Sequence, residues 1–210
     1  MWVSNDPVQM RFVASLAHPG GNTTGVTLIL DELAGKRLEL LKEVAPRISS
    51  VAVLWNPDHA DPEFREIQRA ARSLDVRVES LQVRQGEDFE HAFQAATKAK
   101  IEALIVVSSR LVNYHRERIV DFTAKARVPL IGDWGPWTAL GGLLSYGPNI
   151  PESTRRSATL VDKILKGANP AELPVERPTK FELSVNLKTA QQLGLTIPQS
   201  VLYRADTVIK

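Results

Sequence analysis

Two short and almost continuous apolar runs constrain the fold of this chain more than any other feature. Ser50–Trp55 (SVAVLW) and residues 101–107 (IEALIVV) are rich in β-branched residues and contain few polar positions. Strands of this composition are typically buried on both faces, as in parallel sheets that are covered by helices. The two runs therefore predict a parallel sheet with helices packed on each side.

Strand and helix patterns alternate around these two runs. Alternation of this kind implies right-handed crossovers between parallel strands. Residues 31–146 are thus predicted to form a complete α/β unit, a doubly wound and mainly parallel sheet of five strands. The further strands are predicted at residues 76–83, 128–131 and 143–146. Helices are predicted at about 32–44, from Asp61 (a capping residue) through 74 and at about 112–126. Another helix, preceded by two acidic residues, is defined by the apolar positions Phe89, Ala92, Phe93 and Ala96.

The segments outside this unit are less regular. The first thirty residues are predicted to hold a short β segment, a helix at 8–17 and a strand at 24–29, which together are too little to bury a core. An amphipathic helix is predicted at 151–167, with Ala158, Val161, Ile164 and Leu165 facing a core. A strand at Phe181–Asn186, a short helix at 188–193 and a last helix at 198–209 complete the prediction.

Composition excludes several classes of protein. The net charge is only +2 and basic residues alternate with acidic ones, so we expect no nucleic-acid partner. The apolar runs are too short to cross a bilayer, and no signal peptide is visible in the first residues. The chain has no cysteine, which excludes disulfides, thiolate catalysis and cysteine-bound metals.

Polar and aromatic side chains follow each strand of the predicted sheet. In a doubly wound sheet a ligand binds at the carboxyl ends of the strands, beside the point where the strand order reverses. Hydroxyls, amides, one carboxylate and aromatic rings suit a small polar ligand with an apolar part. The candidates are Asn56, Ser108, Ser109, Asp133, Trp134, Tyr146 and Asn149.

Catalytic and metal sites are not expected. The four histidines are scattered, and none forms a ligand pair of the HxH or HxxxH type. Ser108 and Ser109 have no positioned histidine, so a helix cap or a hydrogen bond to a ligand explains them better than a nucleophile does. We therefore predict no enzyme activity, no catalytic residue, no cofactor and no metal.

Six segments of the chain occur in an order that is specific to one family. The chain resembles the ABC-transporter substrate-binding protein family, whose better-known members take up tryptophan, tyrosine or related amino acids. The resemblance covers essentially the whole chain. It rests on residues 14–25 (ASLAHPGGNTTG), 33–43 (LAGKRLELLKE), 51–57 (VAVLWNP), 141–149 (GGLLSYGPN), 161–168 (VDKILKGA) and 178–183 (PTKFEL).

The resemblance implies a type I periplasmic binding fold, with two Rossmann-like lobes and a ligand between them. Residues 1–30 would be a remnant of lobe 1, residues 31–146 would be lobe 2, and residues 147–210 would hold the helix returning to lobe 1, the hinge crossing and the C-terminal elements. Members normally carry a signal peptide and about a hundred further lobe 1 residues, so the second lobe is expected to be complete and the other partial.

The resemblance also implies a mechanism and a location. A small amphipathic ligand, such as an amino acid, would be bound and passed to a membrane permease at the periplasm or cell surface. Asp133 would pair with a ligand ammonium group, and Trp134 and Trp137 would either supply an apolar wall for the ligand or pack inside the lobe. Lobe 1 would contribute Ser4, Asp6, Thr23 and Thr24. For assembly, we expect a homodimer that covers the apolar surface of the partial lobe. The alternative function is that of a ligand-sensing regulatory domain of the same fold.

Overall fold

The computed structural model describes residues 1–3, 5–59 and 62–210, which form two compact units. Unit 1 consists of Met1–Asp31 and Pro148–Phe181, and unit 2 consists of Glu32–Gly147 and Glu182–Lys210. The proposed capping residue Asp61 lies outside the described residues.

The helices and strands follow one another in the alternating order that the sequence predicts for the middle of the chain. In chain order they are β1 Trp2–Val3, β2 Val26–Thr27, α1 Leu30–Val44, β3 Ser50–Trp55, α2 Glu63–Ser73, β4 Arg77–Gln82, α3 Asp88–Ala99, β5 Ala103–Val106, α4 Arg110–Tyr114, α5 Arg116–Ala126, β6 Leu130–Gly132, α6 Pro136–Ala139, β7 Leu144–Pro148, α7 Ile150–Leu165, a 3-10 turn at Pro170–Glu172, β8 Phe181–Asn186, α8 Leu187–Leu193, α9 Gln199–Arg204 and β9 Thr207–Ile209.

The main sheet has seven strands in the order β4-β3-β5-β6-β7-β8-β9. Parallel register joins β3 to β4, β3 to β5, β5 to β6, β6 to β7 and β8 to β9. The chain runs from β3 outward to β4 and then crosses back to β5 on the other side of β3. The strand order therefore reverses between β3 and β5, and the sheet is doubly wound and mostly parallel, as predicted.

Alternate residues of β3 enter two separate hydrophobic cores. Val51 and Val53 lie in the first core with residues of α1, α2, α8 and α9, whereas Ala52 and Leu54 lie in the second core with residues of α3, α4 and α5. Successive side chains of a strand point to opposite faces of a sheet. The apolar run of β3 is thus buried on both faces, which confirms the interpretation of this segment.

The C-terminal prediction is wrong in part. A single helix is predicted over residues 198–209, but α9 ends at Arg204 and Thr207–Ile209 is a strand that pairs with β8. All three of its residues are β-branched, and the open edge of β8 offers them a partner, so sheet pairing prevails over the helical pattern. Because β8 and β9 add to the sheet, it has seven strands rather than five.

The helix predicted over residues 112–126 is also divided. α4 begins two residues earlier because Ser109 caps it, accepting a hydrogen bond at its Oγ from the Val112 amide at 3.1 Å. His115 then leaves helical geometry with φ −96° and ψ 17°, and α5 begins at Arg116. The predicted apolar face is only partly right, since Ile119 is buried but Ala126 is exposed, and the spacing carries no signal for this break.

Two predictions in the N-terminal part of unit 1 are wrong. Residues 8–17 form turns instead of a helix, since Arg11 has φ +58° and interrupts the backbone after one turn. The strand expected at 24–29 is limited to Val26–Thr27, because Ile29 adopts φ +47° and ends it. A left-handed conformation costs a non-glycine residue energy, and no apolar pattern announces it.

Helix α7 buries a different face from the predicted one. Ser153 and Leu160, two turns apart, are buried in unit 1. Ala158, Val161, Ile164 and Leu165 are exposed, with 55% of Val161 and 82% of Leu165 accessible. The prediction that these four residues face a core is therefore wrong within the described unit.

Candidate functional site

Unit 2 brings six of the predicted residues to one edge of its sheet. Asn56 follows β3, Ser108 and Ser109 follow β5, Asp133 and Trp134 follow β6, and Tyr146 lies near the end of β7. The β3, β5, β6 and β7 strands are parallel neighbours, so their carboxyl ends lie together. The edge includes the reversal of strand order between β3 and β5, which is where doubly wound folds bind ligands.

The side chains beside the strand reversal are fixed by local hydrogen bonds. Asn56 Oδ1 accepts a hydrogen bond from the Asp58 amide at 2.9 Å, which leaves its Nδ2 donor without a partner in the described part of the chain. Ser108 Oγ accepts one from Asn113 Nδ2 at 3.3 Å, and Ser109 Oγ caps α4. Both serine hydroxyls are therefore held in place by α4.

The loop after β4 is held by hydrogen bonds to a carboxylate. Asp88 Oδ2 accepts hydrogen bonds from the backbone amides of Arg84 at 2.7 Å and Gln85 at 3.1 Å. The bond from the Arg84 amide is the main reason why the pKa of Asp88 lies below its usual value, since it stabilises the ionised form. The carboxylate thus stays charged at the start of α3.

Asp133 is held by a buried tryptophan. Trp137 is fully buried in the second core, and its Nε1 donates a hydrogen bond to Asp133 Oδ1 at 3.1 Å. Asp133 is only 5% exposed, but its second oxygen has no hydrogen-bond partner in the described residues and is not enclosed. One oxygen therefore orients the carboxylate, and the other is available to a cationic group. Of the two roles that the sequence leaves open for Trp137, the structure shows packing in the core.

Two glycines allow the ends of β6 and β7 to approach each other. A Cβ atom on Gly147 would lie 1.6 Å from the Asp133 carbonyl oxygen, and one on Gly132 would lie 2.2 Å from Trp137 Cδ1. Neither distance is possible for a real side chain. Gly132 and Gly147 are thus needed for the backbone path that carries Asp133.

Two aromatic residues complete this edge. Trp134 is half-buried against the second core, and its Nε1 is enclosed without an acceptor among the described residues. Tyr146 is half-buried against the first core, and its carbonyl oxygen accepts a hydrogen bond from Arg37 Nε at 3.0 Å. The edge therefore combines aromatic surface with a carboxylate, hydroxyls and an amide donor.

A family model described as ABC transporter substrate binding protein matches residues 1–209 of the chain. The chain belongs to this family. Substrate-binding proteins bind their ligands without a catalytic step and typically work in the periplasm or outside the cell. Within the described residues no helix has both the length and the apolar character to cross a membrane.

Individual relatives are similar over nearly all of the chain. A tyrosine-binding protein of Clostridioides difficile is 22% identical over 197 residues, which are 93% of this chain and 56% of that protein. The crystal structure of the ABC domain in complex with L-Trp from Streptococcus pneumoniae has a TM-score of 0.86 and 26% identity, over 98% of this chain and 69% of that one. The crystal structure of a conserved domain protein from Vibrio cholerae has the same TM-score and identity, over 97% of this chain and 69% of that one. The chain thus spans little more than half the length of its curated relative.

The predicted residues of unit 1 serve mainly the structure of that unit. Asp6 Oδ1 accepts a hydrogen bond from the Val8 amide at 2.8 Å, and buried Thr24 donates from Oγ1 to the Leu173 carbonyl oxygen at 2.7 Å. Asn149 caps α7 by accepting from the Glu152 amide at 2.6 Å. Thr23 is half-buried. Ser4 lies outside the described residues.

Unit 1 also contains a cavity of about 400 Å³. Asn149 and the first turn of α7 form one wall of it, and the segment from Pro174 to Lys180 forms another. Arg156 Nε donates to Glu176 Oε2 at 2.5 Å across it, which is the main reason why the pKa of Arg156 is raised. The cavity is thus bridged by an ion pair and belongs to the packing of α7 on that segment.

Sequence reasoning does not identify a buried ion pair that lies beside the candidate edge. Arg37 on α1 and Glu63 at the start of α2 are both fully buried, with Arg37 Nη1 2.5 Å from Glu63 Oε2. The available signal is the position of Arg37 next to Ala34, Leu38 and Leu41, which occupy the buried face of α1. An arginine on such a face requires a buried partner.

In residues 1–3, 5–59 and 62–210, no three His, Asp or Glu side chains form a group that could hold a metal ion. The side chains at the carboxyl edge of unit 2 can donate and accept hydrogen bonds, attract a cation and contact an apolar group. Such an arrangement suits recognition of a small molecule.

Proposed function

We propose that this protein is the solute-binding component of an ABC-type uptake system and that its ligand is a small amphipathic molecule of the amino-acid class. Membership of the family supports the transport role. The L-Trp complex and the tyrosine-binding relative support an amino-acid ligand. The observation that carries the proposal is the carboxylate of Asp133, which has one oxygen held by Trp137 and the other available.

Each group at the carboxyl edge of unit 2 has a separate role in this proposal. Asp133 Oδ2 pairs with the ligand ammonium group, because a charge-assisted hydrogen bond is strong where water is largely excluded. Asn56 Nδ2 and the hydroxyls of Ser108 and Ser109 donate to the ligand carboxylate. Trp134 and Tyr146 contact its apolar side chain. The order of these groups along the edge separates the charged end of the ligand from the apolar end.

The candidate residues of unit 1 keep fewer atoms available for a ligand. Thr23 is the candidate whose hydroxyl is not used elsewhere in the described structure, and Asp6 has one oxygen engaged by the Val8 amide. Thr24 and Asn149 already bond to backbone groups, so any contact to a ligand uses their remaining atoms. Ser4 stays a prediction from the sequence. The released solute would pass to a membrane permease.

The role of Asp133 can be separated from its role in folding by an isosteric substitution. Asp133→Asn keeps an oxygen for Trp137 Nε1 but removes the charge, so we expect at least a tenfold weaker affinity, about 1.4 kcal/mol, and a nearly unchanged melting temperature. Isothermal titration with L-tryptophan and L-tyrosine measures the loss. Indolepropionate, which lacks the amino group, is the matched control ligand. Equal affinity of variant and wild type for the amino acids would remove Asp133 from the site.

The exposed face of α7 supports a proposal about assembly. Val161 and Leu165 lie one turn apart on a surface helix and expose most of their apolar surface. We expect a homodimer in which a second copy covers this face. Analytical ultracentrifugation of wild type and Leu165→Glu tests it, with Thr159→Glu on the same helix as control. A wild-type protein that sediments as a monomer at all concentrations would contradict this assembly.

A further inference from the structure

The buried Arg37–Glu63 pair joins three elements around the first core of unit 2. Arg37 Nη1 donates to Glu63 Oε2 at 2.5 Å, and Arg37 Nε donates to the Tyr146 carbonyl oxygen at 3.0 Å. Arg37 Nη2 is enclosed and has no partner among the described residues. One guanidinium group thus connects α1 to the first turn of α2 and to the end of β7.

Close packing of α1 on α2 makes this geometry possible. Gly35 precedes Arg37 by two residues on α1. A Cβ atom placed on Gly35 would be 3.3 Å from Ala70 Cβ on α2. The absence of a side chain at Gly35 lets the two helices approach. The short distance between the helices brings the charged atoms of Arg37 and Glu63 together inside the core.

Both ends of the connection belong to segments that carry candidate ligand residues. Glu63 begins α2, which follows the Asn56 segment at the end of β3. Tyr146 itself is a candidate, and its neighbour Gly147 lies against the backbone of Asp133. Displacement of the Tyr146 carbonyl would therefore alter the end of β7 and the position of Asp133 together.

Stability alone is a poor explanation for this pair. Burying two charges removes them from water, and well-packed apolar residues of similar volume often stabilise a protein as well or better. An apolar pair cannot donate a hydrogen bond to the Tyr146 carbonyl oxygen, so the link from α1 to β7 would be lost. The property that the charged pair adds is a fixed position for the main chain of β7 relative to the start of α2.

We propose that Arg37 is a positioning residue for the solute site of unit 2, acting through the Tyr146 carbonyl oxygen and through Glu63. The expected effect of Arg37 on ligand affinity rests on the proposed function. The structural role of Arg37, which is to fix β7 relative to the start of α2, can be measured without a ligand.

The experiment compares Arg37→Met, the double variant Arg37→Met/Glu63→Leu and a control, Arg204→Met. The control removes an arginine from the exposed pair that Arg204 forms with Glu43, remote from the candidate edge in sequence. Melting temperature, amide hydrogen exchange followed by mass spectrometry, and affinity for L-tryptophan and L-tyrosine are measured for each protein. Peptides from α3 report on global opening.

We expect Arg37→Met to lower the melting temperature by roughly 10 °C, since it removes the buried cation paired with the Glu63 carboxylate, and the double variant to recover at least half of that loss. In both variants, exchange in peptides that cover α2 and residues 144–148 should rise at least about tenfold while α3 is unchanged. Affinity should fall at least about tenfold in the double variant. Arg204→Met should change none of these quantities.

Two results of the exchange measurement would overturn the positioning role of Arg37. If the double variant regains wild-type exchange in both segments, or if exchange rises equally in α3, Arg37 has no positioning role. When Arg37→Met alone fails to fold, the double variant decides the question. A wild-type protein that binds neither amino acid would contradict the proposed ligand class, and the exchange comparison would still decide the role of Arg37.

Discussion

Replacing Trp137 with alanine is expected to lower the free energy of unfolding by about 3–5 kcal/mol, the cost of removing a fully buried aromatic side chain. Trp137 is the largest of the fully buried side chains and lies in the second core beside the end of β6. Its loss leaves a cavity under Gly132 and removes the donor that holds Asp133 Oδ1. Urea denaturation measures the loss of stability, and titration with amino acids measures the loss of affinity.

Phenylalanine at position 137 separates the two roles of this tryptophan. Trp137→Phe keeps much of the apolar contact but has no Nε1–H, so Asp133 loses its orienting hydrogen bond. We expect a smaller loss of stability than with alanine, together with a weaker affinity for amino acids. A Trp137→Ala protein within about 1 kcal/mol of wild type would contradict the described packing of the second core.

Gly147→Ala is expected to be the second large effect. The added Cβ would stand 1.6 Å from the carbonyl oxygen of Asp133, which is backbone and cannot rotate away. The ends of β6 and β7 must then separate, and overpacking of this kind costs roughly 1–3 kcal/mol or more. Because Asp133 moves with its carbonyl group, affinity for an amino acid should also fall. Chemical denaturation and calorimetric titration measure both quantities.

Gly135→Ala is the matched control for this substitution. Gly135 lies in the loop after β6, and a Cβ atom placed on it would meet nothing within 4 Å. We expect stability and affinity close to those of wild type. A Gly147→Ala protein that behaves like Gly135→Ala would show that the ends of β6 and β7 are not in contact in the way described.

The sequence predicts the central sheet well for a physical reason. A strand that is buried on both faces cannot accept polar residues, so runs such as those of β3 and β5 are visible without any tertiary information. Elements that depend on a partner are harder to predict. Thr207–Ile209 becomes a strand because β8 is beside it, and α7 turns Leu160 rather than Val161 inward, which depends on the surface that it packs against.

The candidate site likewise has features that the sequence predicts and features that it does not. The positions of Asn56, Ser108 and Asp133 at strand ends follow from the alternation of strands and helices, so their assembly at one edge is predictable. The hydrogen bond from Trp137 to Asp133 and the pair formed by Arg37 and Glu63 are not, because the sequence does not encode which buried groups meet. Thr24 is another example, since its partner at Leu173 is distant in the sequence.

We propose that the carboxyl edge of unit 2 binds an amino-acid ligand. This binding can be tested by titrating the ¹⁵N-labelled protein with L-tryptophan and L-tyrosine and following the amide chemical shifts. We expect saturable shifts at residues that include Asn56, Ser108, Ser109, Asp133, Trp134 and Tyr146. Saturable shifts confined to other parts of the chain, or no saturable shift at millimolar ligand, would contradict it.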